Sequence, residues 1–188
     1  MARDSTNGAT MSICDGRPRS MTVLETERLV LRHMEPEDAD ALAAVLSDPV
    51  AMQYYPHAFS REEVAQWIER WMASYDANAY GLYAIVLRKT GKVIGDCGHA
   101  LQDVDGKREI EIGYHVRRDL WGHGYATEAA RACVAYGFET LCAPRLISLI
   151  RPENFPSRRV AEKTGMSIVS ETVRKDILHF VYAISPPA

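Results

Sequence analysis

The chain has 188 residues, 47% of them hydrophobic and 25% charged, with a formal net charge of −3. That length and mix suit one folded domain with a sizeable core. The slight negative charge argues against a broad phosphate-binding surface for nucleic acid, so any anion site must be local, and no apolar run is long enough to span a bilayer.

The first 20 residues, MARDSTNGATMSICDGRPRS, lack the apolar centre of a secretory signal. Their polar, glycine-bearing composition predicts a flexible tail over 1–20, ahead of a folded domain over 21–188. In LETERLVLRHM, alternation begins at Thr26 and predicts a first strand whose surest part is Leu29 to Arg32. EPEDADALAAVLSDP reads as a helix: a proline and acids at its start, and Pro49 just past its end. VAMQYYPHAF is a loop. Ser60 and Glu63 form a capping box, after which Val64, Trp67, Ile68, Trp71, Met72 and Tyr75 recur at helical spacing as a core-facing stripe.

AYGLYAIVLR and KVIGDCGHAL read as strands joined by the turn Lys89-Thr90-Gly91, and QDVDGK is a second turn. REIEIGYHV is the next strand, with Ile110, Ile112, Tyr114 and Val116 on one face and Glu109, Glu111, Gly113 and His115 on the other. A long helix is expected from Gly122 to Thr140. RLISLIR is a short, continuously apolar strand of the kind buried on both faces. NFPSRRVAEKTG is a helix ended by Gly165, and SIVSETVR with LHFVYAI makes a closing pair of strands. The order is β-α-α-β-β-β-α-β-α-β-β. Short turns make the middle strands antiparallel, whereas the crossover from Glu109 to Arg151 makes a parallel pair. The expected fold is a single mixed α/β domain. Cys14, Cys97, Cys133 and Cys142 show no metal-ligand spacing, which predicts reduced thiols in a cytoplasmic protein and no metal site.

The most informative stretch is RRDLWGHGYATEAA, Arg117 to Ala130. A helix start presents unpaired N–H groups and the positive end of the macrodipole. Glycines at Gly122 and Gly124 let a ligand approach without a Cβ in the way, and Arg117 and Arg118 add charge able to grip phosphate oxygens. Together these describe a pyrophosphate cradle. The same glycines also suit a plain strand-to-helix turn, and both alternatives stand on this stretch alone. The third glycine of a dinucleotide fingerprint is absent, as is the lysine of a nucleoside-triphosphate loop.

DLWGHGYATEA, with EIGYHV before it and RPENFPSRRVAEKTGM after it, resembles the GNAT superfamily of acyl-CoA N-acetyltransferases, most of all its ribosomal-protein N-terminal acetyltransferase branch. The resemblance covers about Leu24 to Ala183, and the element order is the family's. The family signature Gln/Arg-x-x-Gly-x-Gly/Ala falls on Asp119, Gly122 and Gly124; Asp119 departs from it, and Arg117 and Arg118 are the nearest substitutes for the missing side chain. What the resemblance implies is a mostly antiparallel sheet of about seven strands, helices on both faces, and a parallel pair that splays apart between the strand ending near Val116 and the strand Arg145 to Arg151. Acetyl-CoA would lie in that opening, with CoA as product.

The contacts it implies are Tyr114, Val116, Arg117, Arg118, Trp121, Gly122, His123, Gly124, Tyr125, Ala126 and Thr127, joined by Asn154 and Ser157 on the pantetheine arm, Asn154 being equally a plain helix cap. The implied reaction is direct attack of a primary amine in a ternary complex. The amine must be neutral, which costs a lysine-like amine roughly 4 kcal/mol near neutral pH and an α-amine far less. Glu111 is the first candidate for its base, ahead of His99 and His115. The position where many relatives carry a thiolate-protonating tyrosine is Ala161. The acceptor, a peptide or small-molecule amine, would be met by VAMQYYPHAF, whose Tyr54, Tyr55 and Phe59 shape the pocket or pack the loop, by the two N-terminal helices and by the segment near His179. A non-catalytic acetyl-CoA sensor or docking module is the alternative, and the chain would act as monomer or homodimer without nucleic-acid or membrane partners.

Overall fold

In the computed structural model, residues 21–186 are described; the tail expected over 1–20 lies outside them. The segment before the first helix makes two strands. β1 (Thr22–Glu25) turns back onto β2 (Leu29–Arg32), and the turn is closed by Thr26, whose N–H donates to Leu29 O at 2.9 Å and whose Oγ1 accepts from Leu29 N at 3.0 Å. This makes the sheet eight-stranded, where about seven strands were expected. β1 is a four-residue edge strand with exposed ends, too short to show a period.

β3 (Leu82–Leu87), β4 (Val93–Val104) and β5 (Lys107–Val116) continue the sheet antiparallel. β6 (Leu146–Ile150) joins β5 in parallel, and β8 (Ile177–Ile184) inserts between β6 and the outer strand β7 (Ser167–Arg174). The sheet is thus mixed and mostly antiparallel, in the order β1-β2-β3-β4-β5-β6-β8-β7.

Helices α1 (Ala39–Leu46) and α2 (Arg61–Asn78) bury Leu42, Leu46, Val64, Ile68 and Trp71 in one cluster with Leu82, Ala84 and Ala100 of the sheet. Helices α3 (Tyr125–Glu139) and α4 (Phe155–Lys163) bury Ala129, Ala130, Cys133 and Ala161 in a second, with Ile85, Ile112 and Val116. The capping box starts α2 as its residues dictate: Glu63 N donates to Ser60 Oγ at 3.2 Å, and Ser60 N to Glu63 Oε2 at 2.7 Å. Of its apolar stripe, Met72 alone stays substantially exposed, at 37%. No helix among the described residues is long and apolar enough to cross a membrane.

Between the sheet and α3 lies His99, fully buried, its Nε2 2.8 Å from Cys133 O. A carbonyl partner requires the ring nitrogen to donate. Burial pushes the imidazole down from 6.5 to about 4. Over that window the unfolded chain binds a proton that the native state refuses, so stability is full above about pH 6.5 and falls as pH drops toward 4, by about 3 kcal/mol from this group. Denaturant midpoints measured between those limits should slide downward in the wild type, and a His99→Leu variant should flatten the slope. Cys133 and Cys97 are buried beside it, their sulfurs 3.6 Å apart; Cys142 is exposed, and Cys14 lies outside the described residues.

Candidate active site

The site begins where β5 and β6 part. Their ladder holds only at Ile110 with Leu146 and Glu111 with Ile147. Beyond it, side chains take the bonds that a continued ladder would have made. Ser148 Oγ donates to Ile112 O at 2.8 Å, and Glu111 Oε1 accepts from Leu149 N at 3.1 Å. With those groups satisfied the strands are free to diverge, and the edge of β5 from Gly113 to Val116 is left without a β6 partner. A cleft of about 580 Å³ opens there, walled by Tyr114, His115 and Val116 on one side and by Asn154, Phe155, Ser157 and Val160 on the other.

At the end of β5 the chain makes a single 3-10 turn, Arg118–Leu120, and then the glycine loop. Gly122 and Gly124 sit at φ 79° and 82°. These are left-handed conformations open to glycine and strained for other residues. They hold the chain out of helix until Tyr125, which is why α3 starts there and not at Gly122. The N–H groups of Leu120 and Trp121 are used, donating to Arg117 O at 2.9 Å and Arg118 O at 3.1 Å. Among the described residues, those of Gly122 through Thr127 have no acceptor within the chain. Six consecutive donors are therefore unused at a helix N-terminus, five of these residues, all but His123, line the cleft, and nothing lies within 4 Å of where a Cβ on Gly122 would sit.

The loop is fastened from outside by residues not anticipated from the sequence. Glu128, in the first turn of α3, accepts from Thr26 Oγ1 at 2.6 Å, Arg28 N at 2.9 Å and Arg28 Nε at 2.6 Å. Arg28 Nη1 also donates to His123 O at 3.0 Å, and its guanidinium covers the Tyr125 ring at 4.6 Å. Burial works against the charged carboxylate, but the Thr26 and Arg28 donors outweigh it and hold Glu128 below the usual range. The β1–β2 turn thus fixes the loop's position.

Of the residues expected to meet the cofactor, Tyr114, Val116, Trp121, Gly122, Gly124, Tyr125, Ala126, Thr127, Asn154 and Ser157 line this one cleft. Arg117, Arg118 and His123 do not. Arg117 pairs with Asp119, at 2.6 and 2.9 Å, and Arg118 with Asp48, at 2.9 Å; His123 Nδ1 lies 3.0 Å from Trp121 O. Asn154 acts as the cap of α4, its Oδ1 accepting from Ser157 N at 3.2 Å. Ser157 in turn holds Tyr114, which donates its hydroxyl to Ser157 O at 2.8 Å and accepts from Ser157 Oγ at 3.0 Å. Ala161 is buried in the core. Tyr54 and Tyr55 line the cleft, whereas Phe59 packs against Trp67 at 5.6 Å.

Glu111 bonds across to β6 and is not among the residues that line the cleft. Its carboxylate takes Gln102 Nε2 at 2.6 Å as well as Leu149 N. Burial raises its pKa against the pull of those two donors. His115, on the same strand face, lines the cleft and carries a denser set of partners. Its Nδ1 lies 2.6 Å from Asp96 Oδ1, and its Nε2 lies 2.6 Å from the Tyr55 hydroxyl. Asp96 is fully buried and also accepts from Trp67 Nε1 at 2.9 Å. The sequence held a signal for this pair. Asp105-Gly106 is a two-residue hairpin turn, both residues at positive φ, and counting back along the strands from it pairs Asp96 with His115, as the structure does.

A mixed sheet with one splayed parallel pair, beside a helix start that offers free amides, is the architecture of an acyl-CoA-dependent transferase. The description "Acetyltransferase (GNAT) domain" matches residues 28–167. The chain is 38% identical to the protein YkkB of Bacillus subtilis over 155 residues, 82% of this chain and 90% of that one. It is 37% identical over 161 residues to the N-acetyltransferase p20 of Bacillus licheniformis, covering 83% and 87%. The crystal structure of an acetyltransferase from Agrobacterium tumefaciens superposes with a TM-score of 0.78 at 28% identity, over 92% of this chain and 99% of that one. The chain belongs to the GNAT acetyltransferase family and is an acetyl-CoA-dependent N-acetyltransferase.

Proposed function

We propose that the acceptor is a primary amine, on a peptide N-terminus or a small molecule, and that it attacks directly in a ternary complex. The observation that carries the acetyl-CoA side of this reading is the conjunction, at one cleft, of unused donors from Gly122 to Thr127 with a β5 edge that has no β6 partner, where Val116 O accepts from Trp121 Nε1 at 2.7 Å. The donors suit a diphosphate; the open strand edge suits an amide-bearing arm that lies along it as an added strand would. Acetyl-CoA has both, and it supplies an activated acetyl group.

The chain's own residues do the rest. Ser157, held by the Asn154 cap and bonded to Tyr114, fixes the far wall along the arm. The β5 edge beside Tyr114 to Val116 offers backbone donors for a developing oxyanion. Tyr54 and Tyr55 form the acceptor side of the cleft, and Arg151 anchors that loop by donating to Tyr54 O at 3.1 Å. Neither Cys97 nor Cys133 reaches the cleft, and burial pushes the Cys97 thiol up, which favours direct attack over an acyl-cysteine.

The test is incubation with acetyl-CoA and a panel spanning peptides with free N-termini, polyamines, amino acids and aminoglycosides, reading CoA release and product mass. Acetylation of at least one amine well above hydrolysis is expected; hydrolysis alone across the panel would remove the acceptor assignment.

A further inference from the structure

An unbroken hydrogen-bonded line runs from the cleft surface into the sheet: the Tyr55 hydroxyl, the His115 ring and the Asp96 carboxylate, with 2.6 Å at both junctions. Its ends differ sharply in environment. Tyr55 is 40% exposed on the loop after α1, whereas Asp96 is fully buried on β4 and pinned by Trp67. A carboxylate accepts only, so His115 Nδ1 must be the donor toward Asp96. In the neutral ring that leaves Nε2 as the acceptor, and the Tyr55 O–H donates to it. The tautomer is thereby set by the fold, with its basic nitrogen aimed at the cleft through one hydroxyl.

We propose that this line is the base of the reaction: His115 takes the acceptor ammonium's proton by way of Tyr55, with Asp96 as the positioning residue. The proposal rests on the primary-amine acceptor argued above. As the ammonium N–H gives its proton to the Tyr55 oxygen, the Tyr55 hydroxyl proton passes to Nε2. The result is a neutral amine, an unchanged tyrosine and an imidazolium facing Asp96, which later returns its proton to water. Glu111 is less suited to receive that proton, because both Gln102 and Leu149 already donate to its carboxyl group.

The groups facing His115 set its working range. Asp96 on β4, Glu111 on β5, the Tyr55 hydroxyl and the edge of Trp67 from α2, at 6.1 Å, surround it. Burial depresses the imidazole pKa, but Asp96, through charge and hydrogen bond, and then the Glu111 charge outweigh it, so the net shift is upward from 6.5. Only the neutral ring accepts, so kcat/KM should rise with pH through a value above about 6.5, and Asp96→Asn should move that limb to lower pH.

The experiment has two arms on the full chain. In the first, nitrogen-15 NMR of labelled histidine, without acceptor, follows His115 against pH in wild type, Asp96→Asn and Tyr55→Phe. A protonated Nδ1 with a hydrogen-bonded Nε2, titrating above about 6.5 and dropping in Asp96→Asn, is expected. The opposite tautomer, or a titration unmoved by Asp96→Asn, overturns the line whether or not turnover is seen. In the second, acetyl transfer is timed with cadaverine and with a serine-initiated peptide. His115→Gln should lower kcat by about 100-fold while KM for acetyl-CoA holds, with the larger loss on cadaverine, whose amine is harder to deprotonate. An unchanged kcat in both His115→Gln and Tyr55→Phe overturns the proposal. Should Asp96→Asn fail to fold, those two variants decide the matter. If the wild type acetylates neither probe, the acceptor assignment loses support while the NMR arm still judges the line.

Discussion

Gly124→Asp weakens acetyl-CoA binding by about 100-fold, close to 3 kcal/mol, in a protein that still folds. The space is permissive: a Cβ at Gly124 meets only Arg28 Nη2, at 3.5 Å, an ordinary contact with the end of a flexible side chain. The backbone is less so, because φ 82° costs a side-chain-bearing residue about 1 kcal/mol. The larger part is electrostatic. The new carboxylate would stand among donors aimed at a diphosphate, where it repels that group and competes for its amides. Gly124→Asn separates the two effects, since asparagine has nearly the same shape without the charge and should lose no more than about 10-fold. Calorimetric titration with acetyl-CoA reads all three proteins. Equal losses in the Asp and Asn variants would assign the effect to backbone strain.

Gly98→Ala destabilises the fold by about 4 kcal/mol. A Cβ there would sit 2.1 Å from Gly81 O and 2.8 Å from Leu82 Cα. Both are backbone atoms held by the β3–β4 ladder and by the 2.9 Å bond from His99 N to Gly81 O, so no side chain can swing aside. Gly113, which faces Gly98 across the ladder to β5, is the control. Its Cβ would meet Leu82 Cδ2 at 3.7 Å, an ordinary contact, and Gly113→Ala should cost under about 1 kcal/mol. Denaturant unfolding of the two variants should separate them widely. Equal midpoints would mean that β3 and β4 move apart at little cost, and would loosen the placement of Asp96 two residues away.

Much of the fold was legible because local signals were strong and agreed. The Ser60–Glu63 box, the Asp105-Gly106 turn and the continuous apolar run of β6 each have one good structural solution. β1 was not legible: four residues with exposed ends carry no period, and the pairing that makes them a strand comes from β2. Gly122 and Gly124 were legible as features that keep donors open, but their start-of-helix placement was three residues early, because positive φ excludes them from the helix they precede.

The partners of charged residues were the least legible. Arg117 and Arg118 are each paired with a carboxylate, and Asp48, the partner of Arg118, lies 70 positions away. Arg28 and Glu128 look like ordinary surface charges, yet between them they fasten the glycine loop. Long-range partners of this kind come from topology. The same holds for Tyr55, whose loop meets His115 only after α1 and α2 have packed on the sheet.

The main-chain donors from Gly122 to Thr127 are expected to grip the diphosphate of coenzyme A. An amide-resolved NMR titration of the full chain with CoA tests it most directly, because it watches those donors themselves. The largest shifts should fall on these six residues, in the direction of stronger hydrogen bonding, with smaller ones along the β5 edge from Gly113 to Val116. Saturation by CoA with these six resonances unmoved would contradict it.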